Sequence, residues 1–73
     1  MYYIRFRDAN CFDSIKNILG AKKVDNPLEV IYLMGEVGLI NIKGNCYKVS
    51  FLEYVPGVKE GAVDCVDVFL DKC

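Results

Sequence analysis

The sequence has no histidine, and with it goes the commonest general base and metal ligand of protein sites. Ser14 and Ser50 are its only hydroxyls outside tyrosine, and neither lies in a G-x-S-x-G nucleophile elbow. Its six glycines form no G-x-G-x-x-G or other phosphate-cradling run. The longest apolar run is the five residues from Val30 to Met34, far short of the roughly 20 that a membrane-spanning helix needs. At the start, "MYYIRFRD" interrupts its apolar residues with arginines, so neither a signal-peptide core nor a cleavage site can be read there. Together these absences argue against an enzyme, a cofactor, a metal centre and a membrane partner, and they predict a cytoplasmic protein.

Four cysteines are present, Cys11, Cys46, Cys65 and Cys73, at spacings of 35, 19 and 8 with no C-x-x-C pair. Distant thiols of this kind read as small apolar side chains rather than as zinc ligands. Two disulfides are the alternative, favoured by the even count and disfavoured by the lack of a secretion signal.

What the chain does have is the composition of a folded domain, 53% hydrophobic and 26% charged across 73 residues. A single α+β domain spanning residues 1–73 is expected. At that length only about 60–65% of the unfolded surface can be buried, so a deep pocket is hard to build. The net charge of −1 is unevenly spread. Residues 1–23 carry Arg5, Arg7, Lys16, Lys22 and Lys23 against Asp8 and Asp13, while residues 53–73 carry five acids against Lys59 and Lys72. Either the two ends form faces of opposite sign, or they lie together and cancel.

The pattern of elements begins with "YYIRFR", whose strict alternation predicts a strand. "NCFDSIKNILG" predicts a helix over about 11–19, with Asn10 as cap and Gly20 as stop. "DNPLEVIYLMGEVG" is ambiguous. Asn26, Pro27 and Glu29 look like a helix start, but an all-round apolar stretch cut by Gly35 fits a central strand at about 29–34. Strands at about 37–43 and 46–54 follow, joined by a Gly44-Asn45 turn that sets Ile42 opposite Tyr47 and Ile40 opposite Val49. The last segment, "GAVDCVDVFLDKC", predicts an amphipathic helix at about 62–72, with Asp64, Asp67 and Asp71 on its solvated arc and Cys65 and Cys73 on its buried side. A strand is the alternative there, requiring a bulge near Cys65–Val66 to keep the aspartates outward.

This order, β-α-β-β-β-α, predicts a four-stranded, mainly antiparallel sheet with both helices on one face, or a five-stranded sheet with one helix if the last element is a strand. The uncovered face would then present Tyr3, Arg5, Arg7, Val30, Tyr32, Met34, Leu39 and Lys48, with Asn41 and Lys43 beside them. Aromatics, methionine and arginine in one patch suit a protein partner, so a non-catalytic protein-binding module is expected, acting as an adaptor or as an inhibitor of a larger protein. A second copy of the chain, giving a homodimer, would also cover the face. Inhibitors encoded by viruses or mobile elements act by such occlusion, and an acidic face of Asp64, Asp67 and Asp71 could stand in for phosphates. The alternative is single-stranded nucleic acid, stacking on Tyr3 among Arg5, Arg7, Lys43 and Lys48, against which stands a pI of about 5.2.

Overall fold

The computed structural model describes residues 1–13 and 15–73. Ser14, inside the expected first helix, lies outside the described residues. Five strands and one helix follow one another as β1 (Tyr2–Asp8), β2 (Ile18–Val24), α1 (Pro27–Val37), β3 (Ile40–Ile42), β4 (Asn45–Val55) and β5 (Asp64–Lys72). The arrangement is therefore the five-stranded, one-helix α+β alternative rather than the four-stranded sheet. Sheet order is β2-β1-β5-β4-β3, with β1 parallel to β5 and every other neighbouring pair antiparallel.

β1 follows the alternation of its sequence. Ile4 is fully buried on one side, while Arg5 and Arg7 lie on the other. Among the described residues of 11–19 no helix is formed. Instead, the Asp13 carboxylate accepts from the backbone N–H of Ile15 at 2.9 Å and of Lys16 at 3.2 Å, and the Asp13 carbonyl accepts from Asn17 N–H at 2.9 Å. One turn satisfies these groups, and the chain then runs back along β1 as β2, pairing Gly20 with Phe6 and Val24 with Tyr2. Strand pairing begins at Ile18 and so claims the last residues of the stretch that the helix would have used.

The stretch expected as a strand at 29–34 is instead the helix α1, and its start signals are the ones in the sequence. Asn26 Oδ1 accepts from Leu28 N–H at 3.0 Å, Pro27 opens the helix, and Gly38, at φ 75°, closes it with its N–H on the Met34 carbonyl at 3.1 Å. Gly35 does not break it, because one interior glycine costs only about 1 kcal/mol. The strand expected at 37–43 shrinks to the three residues of β3.

The turn between β3 and β4 is Lys43-Gly44, both with positive φ, and the register is Ile42 with Asn45 and Ile40 with Tyr47. This is two residues away from the expected register, so Ile40, Ile42 and Tyr47 still share a face. Positive φ at both central residues is the type I′ arrangement, whose twist matches that of the flanking strands. Asn41 Oδ1 accepts from Gly44 N–H at 3.1 Å across it.

The segment expected as a helix at 62–72 is the central strand β5. Val66, Val68 and Leu70 alternate at the strand period into the core with Ile4, Met34 and Tyr47. Burying Ile4, Val68 and Leu70 completely contributes about 1.5–3 kcal/mol each. The expected bulge near Cys65–Val66 is absent; the ladder is irregular in β4, between Val49 and Phe51. α1 covers one face of the sheet, and Met34 is its one buried residue. No helix among the described residues is long and apolar enough to cross a membrane.

Candidate binding surface

The two sides of the sheet differ in chemistry. On the side away from α1, neighbouring strands set Arg5 beside Asp67 and Arg7 beside Phe69. Arg5 donates to Asp67 through Nε at 2.5 Å and Nη2 at 3.0 Å, and Arg7 Nε lies 3.3 Å from the same carboxylate. Arg7 also donates to Asn17 Oδ1 at 2.7 Å. The hydrogen bond to Asp67 is the main reason the Arg5 guanidinium holds its proton more tightly than usual. Next to this cluster Phe51 and Phe69 stack with ring centroids 4.3 Å apart, and Lys23 Nζ sits 5.4 Å from the centroid of the Tyr3 ring. The basic and acidic ends of the chain thus lie side by side and neutralise each other.

The three aspartates do not form an acidic arc. Asp67 is buried in the arginine cluster. Asp64 points to the other side of β5, where its carboxylate accepts from Gly57 N–H at 2.7 Å and from Tyr54 Oη–H at 3.0 Å. Those two donors, the backbone one first, pull the Asp64 carboxyl below its ordinary value, and the same bond pushes the Tyr54 phenol up. Asp71 accepts from Asn10 Nδ2 at 3.2 Å. Strand alternation puts Asp64 on the opposite side of β5 from Asp67 and Asp71, and the extended backbone holds those last two roughly 13 Å apart, where a helix would have aligned all three. Among the described residues no group of three or more Cys, Asp or Glu side chains is arranged to hold a metal ion.

The expected partner-binding face is likewise divided. Tyr3, Arg5 and Arg7 share the side with Asp67, but Val30, Tyr32 and Met34 belong to α1. Met34 is core, Val30 packs against the core, and Tyr32 is exposed. Leu39 is exposed in the link between α1 and β3, Lys43 sits in the β3–β4 turn, and Lys48 is exposed on β4.

A different surface is more apolar. Along the α1 side of the sheet, a groove runs between the helix and β4. One compartment of about 620 Å³ is lined by Tyr2, Pro27, Leu28, Ile31, Leu52 and Tyr54, with Asp25 and Asn26 at its margin. A second of about 360 Å³ continues it past Met34, Gly35, Val49 and Lys48, and the two share Ile31 and Leu52. Leu28 is 71% exposed, Tyr54 60% and Leu52 42%. The groove borders an open sheet edge. β3 pairs only with residues 45–47, so residues 48–55 of β4 have no strand neighbour on that side among the described residues.

Leu28, Ile31, Val49 and Tyr54 were not legible as a surface because they come from a helix read as a strand and from a strand expected to be covered by two helices. The open edge follows from the mismatch between a three-residue β3 and an eleven-residue β4, which a reading with strands of similar length at 37–43 and 46–54 does not show. The chain matches no protein-family model, no curated protein and no solved structure.

Proposed function

We propose that this chain is a small, non-catalytic protein-binding module that takes an extended segment of a partner protein along the open edge of β4. The observation that carries the reading is that this edge and the apolar groove lie side by side: among the described residues, 48–55 have no strand on the side away from β5, and Val49, Leu52 and Tyr54 from the same stretch line the groove. A strand added there gains backbone hydrogen bonds along its length and places alternate side chains in the groove, the mode by which sheet edges recognise peptides. Nucleic acid is a weaker occupant because Arg5 and Arg7 are already turned toward Asp67.

The test is capture of partners by tagged wild-type chain and by a Leu52→Glu, Tyr54→Ser double variant, each with and without nuclease, after circular dichroism establishes that both are folded. A nuclease-resistant protein partner lost from the double variant supports the reading, and its cross-links are expected on β4. A dimer of the chain itself, abolished by the same changes, would make the partner a second copy. Capture that is undiminished in the variant, or that consists of nucleic acid alone, would overturn it.

A further inference from the structure

At one end of the β4–β5 ladder, Cys46 and Cys73 face each other with their sulfurs 2.7 Å apart. The register that pairs Tyr47 with Lys72 puts the two cysteines directly opposite, and Cys73 N–H donates to the Cys46 carbonyl at 2.9 Å. Hydrogen-bonded antiparallel partners have Cα atoms about 5.5 Å apart, within the roughly 4.4–6.8 Å that a disulfide spans. We propose that Cys46 and Cys73 are a redox clasp that closes as a disulfide across β4 and β5 when the chain meets a small-molecule disulfide such as oxidised glutathione.

The step balances as two thiol–disulfide exchanges. The more exposed Cys73 attacks, as thiolate, one sulfur of oxidised glutathione; the glutathione S–S bond breaks and one glutathione thiol leaves with a proton. Cys46 then attacks the Cys73 sulfur of the mixed disulfide and displaces the second glutathione thiol. Two electrons pass from the cysteine pair to glutathione, and two protons end on its thiols. In the reduced state the Cys73 sulfur is already the hydrogen-bond partner of Cys46, and that contact raises the Cys46 thiol above its ordinary value. Closing the bond ties β4, the inner strand of the β3–β4 hairpin, to the end of the central strand β5 across a sequence separation of 27. Cys11 and Cys65 have no such partner among the described thiols; their nearest sulfur contacts are the backbone carbonyls of Asp13 and Val63.

The experiment incubates dilute reduced protein with oxidised glutathione, then reads intact mass, peptide maps and melting temperature. The expected result is loss of two hydrogens from the monomer, a proteolytic cross-link joining Cys46 to Cys73, and a rise in melting temperature of roughly 10 °C that dithiothreitol reverses. Cys73→Ser and, separately, Cys46→Ser should each abolish the mass loss and the rise, whereas a Cys11→Ser, Cys65→Ser double variant should keep both. Persistent glutathione adducts, a bond through Cys11 or Cys65, a linked dimer, or a Cys46–Cys73 bond that leaves the melting temperature unchanged or lower would overturn the clasp.

Discussion

Asp67 shows why individual aspartates were misread. An aspartate in an otherwise apolar segment ordinarily marks the solvated side, yet Asp67 is 4% exposed with Arg5 and Arg7 both directed at its carboxylate. The pairing is invisible in the sequence because the partners are 62 residues apart and meet only through the parallel β1–β5 ladder. Only the offsetting charge of the two chain ends hinted at it. Removing one member of such a cluster strands the others in low dielectric. Asp67→Ala is therefore expected to cost about 3–5 kcal/mol, while Arg5→Ala, at the more exposed margin, should cost less. Urea denaturation of the two variants checks this; a loss below about 1 kcal/mol for Asp67→Ala would place the cluster among weak surface pairs, and equal losses would show Arg5 to matter as much as the buried carboxylate.

At the scale of elements, two segments carry signals for both helix and strand, and in each the structure takes the alternative that the sequence favours less. In 27–37 the start and stop signals Asn26, Pro27 and Gly38 were legible, but Gly35 and the run Val30–Met34 outweighed them. In 64–72 the helical spacing of three aspartates outweighed the β-branched Val66 and Val68, whose period of two is the one the core uses. β1 was legible within a residue because it alternates along its length, and β4 within a residue at each end because the Gly44 turn marks its start, although its alternation slips between Val49 and Phe51. Gly35 leads to a prediction. A methyl group there meets nothing within 4 Å and its φ is not in the left-handed region, so Gly35→Ala should gain helix propensity without a clash. Thermal unfolding should show the variant more stable by about 0.8–1 kcal/mol; a destabilised variant would mean that the backbone at this position needs glycine.

On the scale of the whole molecule, stability is concentrated in one strand. β5 is flanked on both sides, by β1 and β4, and contributes three of the six core residues, whereas α1 contributes only Met34 and β3 is a three-residue edge. Native-state hydrogen exchange should follow that gradient, slowest at the amides of Val66, Val68 and Leu70 and fastest in α1 and β3. Uniform protection across α1 and β5 would show a helix bound as firmly as the sheet centre. The general class, a small α+β domain, was readable from composition and alternation. The strand order was not, since no local pattern announces that the last strand enters between the first and the fourth. That insertion also bears on the order of folding. The β1–β2 and β3–β4 pairs each join neighbouring segments of the chain, and each keeps an inner edge open until β5 enters between them. A state in which β5 is not yet placed therefore carries two unpaired strand borders, the kind of edge on which another chain can template itself.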